Sequence, residues 1–263
     1  MNTKRAMLSV MKKDLFGITA NRRLLVSMIL VPLVLTVILP SVFVFLIHLT
    51  PDDPDIQKLL ELLPLEAQSG SLELTVTGII LNDILPVFFL IIPIMAATIT
   101  AASAFVGEKE KHTLETLLYC PLSVKQIFRS KVLASFLLSM AVSLLSFCCM
   151  MMVLEAELLL LMGSLLLPGV NWLLILVLVS PSLSLIAVTL IVRGSAKAKS
   201  VEESQQSAVF LILPILLLIV GQFTGLLLLN VWILLAAGAV CALLAWLLLK
   251  NCLSGFTCER LLQ

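Results

Sequence analysis

IILNDILPVFFLIIPIMAATITAASAFVGEKEKHTLETLLYCPLSVKQIFRSK, residues 79–131, decides the fold. Its first half, 79–106, carries one ionisable residue, Asp83, and is long enough to cross a hydrocarbon core of about 30 Å as a helix. Its second half turns abruptly to charge with Glu108, Lys109, Glu110 and Lys111. An apolar run that ends in a charged, helix-patterned stretch is a membrane span leaving the bilayer. Five more runs read the same way, at 24–49, 132–154, 170–192, 208–229 and 231–249. The last two are separated by a tight turn at Asn230 and form a hairpin. Residues 1–263 are therefore expected to be one transmembrane domain of an all-α polytopic membrane protein.

Composition agrees. Of 263 residues, 60% are hydrophobic and 13% charged, against about 45–50% and about 25% in soluble domains. A surface so poor in charge needs lipid as its solvent. The net charge of +1 and the lack of a basic tract leave no basis for nucleic-acid binding.

The basic residues give the orientation. The arm at 1–23 holds Lys4, Arg5, Lys12, Lys13, Arg22 and Arg23; the second connection between spans holds Lys109, Lys111, Lys125, Arg129 and Lys131; the fourth holds Arg193, Lys197 and Lys199; the tail holds Lys250 and Arg260. All but Lys58 of the 17 basic residues thus fall on one side of a six-span chain, and positive charge near spans stays cytoplasmic. Both termini are expected in the cytoplasm, and a miscount by one span would scatter the asymmetry. The opposite side is acidic, with Asp52, Asp53, Asp55, Glu61, Glu66 and Glu73 in the first external loop. Ile56, Leu59, Leu60 and Leu63 there fit either an amphipathic helix on the outer leaflet or an irregular loop. The first apolar run, beginning behind a long charged arm, exceeds a signal-peptide core of about 7–15 residues and reads as a retained span.

In the arm, Met7, Val10, Met11, Leu15 and Ile18 share one face, with Lys12 and Lys13 off it, which predicts an interfacial helix. In 107–131, Leu114, Leu117 and Leu118 form a short apolar stripe. Pro121 stops that helix, and Ser123 caps the next, which leads through Lys131 into the third span. A short helix with leucines and charged ends, lying across the base of two spans, suits a partner contact; an ordinary solvated loop helix has the same pattern.

Residues 108–123 resemble the hallmark of type-2 ABC transporter permeases, roughly E-[KR]-E-x-[GK]-T-[LI]-E-x-L-L-x-x-P-[VL]-S. The match falls on Glu108, Lys109, Glu110, Thr113, Leu114, Glu115, Leu117, Leu118, Pro121, Leu122 and Ser123, with His112 where a Gly or basic residue is commoner and Ser130-Lys131 where many relatives have Gly-Lys. Residues 200–206, Ser-Val-Glu-Glu-Ser-Gln-Gln, are similar to a stretch of sodium-extruding branches, and an antibiotic-peptide export-like branch is also in keeping. The resemblance implies a type V exporter-like fold with an N-terminal interfacial helix and a cytoplasmic coupling helix. It also implies a dimer of permease chains, homo- or heteromeric, in the cytoplasmic membrane of a prokaryote. Separate cytoplasmic ATPase subunits would bind ATP and Mg and couple through Glu108–Ser123. Lys199, Glu202, Glu203 and Gln205 are candidates for a second ATPase contact. No Gly-x-x-x-x-Gly-Lys-[Ser/Thr] loop is present, so ATP hydrolysis is expected in the partner and not in this chain. The competing functions are an ATP-independent channel or carrier, and a membrane anchor or assembly factor that transports nothing.

Inside the spans, Asp83 fits interfacial solvation or a contact with cargo. Gly221, Gln222 and Gly225 form a Gly-x-x-x-Gly face that suits either an interface between permease chains or packing within one. Cys120, Cys148, Cys149, Cys241, Cys252 and Cys258 are expected as reduced thiols, and Cys252/Cys258 lacks zinc-site spacing, so no metal is expected. Pro32, Pro40, Pro86, Pro93, Pro181 and Pro214 punctuate the spans and predict kinks.

Overall fold

A computed structural model describes residues 3–49, 72–111, 113, 122–195, 198, 200–206, 209–223 and 231–255, and the account of the fold rests on these. Among them every regular element is helical. Six helices are long and apolar enough to cross a membrane: span 1, Leu24–Leu49; span 2, Leu74–Glu110; span 3, Val124–Leu161; span 4, Val170–Gly194; span 5, Val201–Gln222; and span 6, Val231–Cys252. The chain is a multi-pass membrane protein. Spans 2, 3 and 5 outrun the apolar stretches that announce them, because hydropathy marks the part of a helix in lipid and is silent about charged turns continuing beyond it.

Span 2 is the axis of the bundle. It packs against spans 1, 3, 4 and 5, and span 4 packs in turn against span 6. From Ile91 to Glu108 nearly every residue of span 2 is buried, including Ala96, Ala97, Ala101 and Ala102. Small side chains let the neighbouring backbones close in, which is how helices associate where lipid tails are as apolar as leucine. Gly238 does the same for span 6: a Cβ there would sit 2.5 Å from the end of Leu178 and 3.3 Å from Val179. Hydroxyls line the seam of spans 3 and 4. Ser135, Ser139 and Ser143 recur every fourth residue and are buried. Ser139 and Ser184 are hydrogen-bonded across the seam. The outer faces of spans 1, 3, 5 and 6 carry exposed Ile, Leu, Val and Phe. Trp232 and Trp246 are exposed near the two ends of span 6, where aromatic side chains favour the membrane boundary.

Three of the prolines share a common setting. Widened π-type turns occupy Val34–Ile38, Ile80–Ile84 and Ile175–Val179. Pro40, Pro86 and Pro181 each lie four residues after the central residue of one such turn: Thr36, Asn82 and Val177. A helical proline clashes with the carbonyl four residues back and cannot donate to it. Letting the ladder skip to five residues over that stretch relieves the clash.

The N-terminal helix, Thr3–Ala20, has the predicted face. Val10, Asp14 and Ile18 are buried, and Lys12 and Lys13 are exposed. The helix packs chiefly on span 3, so that face is turned to protein, while Leu8 and Phe16 stay exposed for lipid. It ends at Asn21, and span 1 begins its own helix at Arg22.

Candidate functional site

Two polar constellations stand out, one at each end of the bundle. The first lies where spans 2 and 3 meet the N-terminal helix, at the end rich in lysine and arginine. Lys131 enters it from the third turn of span 3 with 3% of its side chain exposed. Its Nζ donates to the Ala104 carbonyl at 2.6 Å, lies 2.8 Å from Glu108 Oε2 and 3.5 Å from Asp14 Oδ2, and sits 5.5 Å from the centre of the Phe105 ring. The Ala104 carbonyl takes one of the ammonium's three donors, and the two carboxylates lie within ion-pair reach, Glu108 the closer. Glu108 completes the bridge by accepting from Lys13 Nζ at 2.6 Å through Oε1. One carboxylate thus joins three helices.

Asp14 is held less closely, since 3.5 Å is long for a hydrogen bond. Burial pushes its carboxyl above the usual range; the charge of Lys131 opposes this most, and the charge of Glu108 adds to it. A raised acid in the folded state contributes stability that is complete below the unfolded value, near 3.8, and is lost as pH rises through the folded one. Asp14→Asn is therefore expected to flatten the decline in melting temperature as pH rises from about 4 toward neutrality. Thermal unfolding of the detergent-solubilised chain across that window checks this; an unchanged slope would exclude Asp14 as its source.

Glu108 also starts the turn that leaves span 2. The Thr113 N–H donates to the Glu108 carbonyl at 3.0 Å and its hydroxyl does so at 3.3 Å, satisfying an end-of-helix acceptor. On the far side of the connection, Gln126 Oε1 accepts from the Ser123 N–H at 3.0 Å, so Ser123 opens span 3 as its sequence predicts. Of the proposed coupling residues, Glu108 faces inward, Lys109 is half-buried, and Glu110, Thr113 and Ser123 are exposed. His112, Leu114, Glu115, Leu117, Leu118 and Pro121 lie outside the described residues.

The second matching stretch comes to the same corner. Helix Val201–Gln206 packs against the end of span 2. Its Val201 N–H donates to Glu110 Oε2 at 3.3 Å, and the Val201 side chain rests 3.6 Å from where a Cβ on Gly107 would be. Ser204 is buried, Glu202 and Glu203 are exposed, and Gln205 is half-buried; Lys199 lies outside the described residues.

The other constellation is built on the π-type turn of span 2. Pro86 has no N–H to give the Asn82 carbonyl, and Asn171 Nδ2 donates to it instead at 3.2 Å. The carbonyls on either side are also taken by side chains: Trp172 Nε1 donates to Leu81 at 2.8 Å and Gln222 Nε2 to Asp83 at 2.8 Å. Asn82 Oδ1 accepts from the Gly169 N–H at 2.6 Å, and a Cβ on Gly169 would lie 3.0 Å from that oxygen. Asp83 Oδ1 accepts from Asn171 at 3.2 Å. Spans 4 and 5 are thus pinned to three successive carbonyls of span 2. Asp83 and Gln222, read separately from the sequence, are brought together here; Gly221 is buried beside them, and Gly225 lies outside the described residues.

Sequence reasoning missed Asp14, Lys13, Asn171 and Trp172 as site residues. Asp14 had a signal, an acid between Val10 and Ile18 on an apolar stripe, which needs a buried partner.

A family model described as ABC-2 family transporter protein matches residues 8–240. The chain belongs to the ABC-2 transporter family. No curated protein and no solved structure matches the chain. As an ABC-2 family member it is a permease subunit of an ABC transporter, a membrane transport component. The matched region takes in both constellations, from the helix that carries Asp14 to span 6.

Proposed function

We propose that this ABC-2 permease is the membrane subunit of an ATP-driven exporter. It forms the pathway as a dimer, homo- or heteromeric, and is moved by separate cytoplasmic ATPase subunits that bind ATP and Mg. The observation that carries this reading is the Lys131–Glu108 bridge, which ties the end of span 2 to the start of span 3 at the two ends of the connection. That connection leaves span 2 and enters span 3 from two anchored points, so a push on it is delivered to both helices and, through Lys13 and Asp14, to the N-terminal helix. A slack loop would absorb the same push. A change of conformation requires a partner that binds the two states differently, and nucleotide-dependent ATPases supply that difference. On this reading the lysine- and arginine-rich end, with both termini, lies in the cytoplasm of a prokaryotic cell. Glu108 and Lys109 position the coupling segment; Glu110, His112, Thr113, Leu114, Glu115, Leu117 and Leu118 form its contact, bounded by Pro121 and Ser123. Lys199, Glu202, Glu203 and Gln205 add a second contact from the adjoining helix.

Because Glu108 is buried in the bridge, reversing its charge would mix misfolding with uncoupling, and Glu115 makes the cleaner test. Glu115→Lys is expected to leave membrane insertion and melting temperature intact. It should lower recovery of the ATPase subunit on the purified permease, and vanadate-sensitive ATP hydrolysis, by about tenfold, as for a charge pair of about 1.4 kcal/mol at an interface. Full ATPase recovery and activity in that variant would remove Glu115 from the contact. ATPase recovery with no cargo movement in the wild type would favour the anchor reading.

A further inference from the structure

The N-terminal helix has a second face that the bundle does not use. At about 100° per residue, Arg5, Leu8, Lys12 and Phe16 fall within an arc of about 80°, opposite Val10, Asp14 and Ile18. All four are exposed, Leu8 by 64% and Phe16 by 63%. Lys12 Nζ stands 5.7 Å from the centre of the Phe16 ring. Nearby hydroxyls turn back on their own helix: Ser9 donates to the Arg5 carbonyl at 3.0 Å and Thr19 to the Leu15 carbonyl at 3.1 Å. The one acid in this helix, Asp14, points inward to Lys131, and Lys13 is paired with Glu108. Among the described residues no carboxylate pairs with Arg5 or Lys12.

Exposed side chains on the neighbouring spans fix the depth of this helix. On span 3, Lys125 and Arg129 are followed on the same face by Leu133 and Leu137; on span 1, Arg22 is followed by Val26 and Leu30. Each stripe changes from charge to apolar surface where headgroups give way to acyl chains. Asp14 lies 3.5 Å from Lys131, which sits between Arg129 and Leu133, and the chain passes from this helix into span 1 at Arg22. The helix is therefore held at that boundary both beyond its middle and at its end, so it lies along the membrane surface.

We infer that the Arg5–Leu8–Lys12–Phe16 face is a docking surface for anionic phospholipid in the leaflet at the lysine- and arginine-rich end of the bundle. Water suits the two cations but not Leu8 and Phe16, and hydrocarbon suits the reverse. The boundary serves both, with the apolar side chains sunk among acyl chains and the long cationic ones reaching to phosphate. The contact of Lys12 with the Phe16 ring steadies the ammonium and leaves its donors free for phosphate oxygens. Arg5 and Lys12 stand about 10 Å apart along the helix, far enough to take separate headgroups. A zwitterionic headgroup brings its own ammonium against these charges; a net negative one does not. This contact follows from the membrane-spanning fold and does not depend on coupling to an ATPase.

The test uses the full chain in nanodiscs with two probes, phosphatidylglycerol and phosphatidylcholine, each carrying a photoactivatable diazirine near the headgroup. Phosphatidylglycerol is expected to label the N-terminal helix well above phosphatidylcholine. The double variant Arg5→Gln, Lys12→Gln should lower that labelling about five- to thirtyfold, at about fivefold for each charge. It should leave phosphatidylcholine labelling and the melting temperature in phosphatidylcholine unchanged, and the swap Arg5→Lys, Lys12→Arg should restore the preference. Raising salt to about 1 M, where charges are screened within about 3 Å, should lower labelling by the anionic probe alone. Equal labelling by the two probes in the wild type, or a preference that survives the double variant, would overturn the proposal. Loss of labelling when the ATPase subunit is reconstituted with the permease would assign this face to a protein partner and overturn it as well. A lipid preference that persists while Glu115→Lys has no effect on the ATPase would sink the exporter reading and leave the lipid contact standing.

Discussion

Lys131→Met is expected to unfold the charged end of the bundle. The substitution keeps the length of the side chain and removes the cation between Glu108 and Asp14. Glu108 would retain Lys13, whose side chain is 55% exposed and so a weak counter-ion, and Asp14 would lose the partner that offsets its burial. Breaking a buried ion pair by deleting one member costs about 3–5 kcal/mol, because the remaining charge stays out of water. The permease should melt well below the wild type in detergent, with the N-terminal helix released first, since Asp14 and Lys13 join it to spans 2 and 3 by charge. The triple variant Lys131→Met, Glu108→Gln, Asp14→Leu removes all the stranded charges and should recover most of the loss. Failure to recover would mean that the loss does not come from stranded carboxylates but from contacts the triple variant still lacks, such as the ammonium over the Phe105 ring. If the connection couples to an ATPase as proposed, ATPase stimulation is expected to stay low in the triple variant, because the connection has lost its anchor even though the fold has not.

The second large effect is at the opposite end. Trp172 is 1% exposed and forms a three-ring cluster with Phe89 at 5.4 Å and Phe147 at 5.1 Å. Trp172→Ala should lower stability by about 3–5 kcal/mol through lost packing. In lipid that loss comes from missing dispersion contacts, and not from water, so thermal unfolding in detergent and in nanodiscs should report it alike. Trp172→Phe keeps a ring but strands the Leu81 carbonyl, a smaller penalty of about 1–3 kcal/mol. Equal destabilisation by Ala and Phe would show that the hydrogen bond to the widened turn, and not the ring cluster, holds span 4 in place.

The six spans were legible because insertion in lipid depends on apolar length alone, a local property. Ser123 opening span 3 and the amphipathic face of the N-terminal helix were legible for the same reason: capping and helical periodicity are set within a few residues. What the sequence withheld was pairing. Val10, Asp14 and Ile18 look like a lipid-facing stripe until Lys131, more than a hundred positions away, is placed against them. Asn171 reads as one polar residue opening a span, and becomes informative once Pro86 has freed the carbonyl that it occupies. Prolines predicted kinks without predicting their form. The coincidence of three prolines with three π-type turns depends on backbone geometry that hydropathy does not encode. The motif predicts Glu108 as a contact for a partner, and the structure buries it against Lys131 and Lys13; spacing alone does not tell a residue turned into the bundle from one left exposed.

The most direct test of the coupling reading is a cross-link. With a cysteine substituted at Glu115 and the permease co-expressed with its ATPase, a short bifunctional maleimide should join the two chains. The yield should change when vanadate traps the nucleotide, and a maleimide that cannot cross the membrane should fail to block it in intact cells. Blocking from outside, or a complete lack of cross-linking in a complex that still transports, would contradict the placement of residues 108–123 as the point where ATP hydrolysis moves the spans.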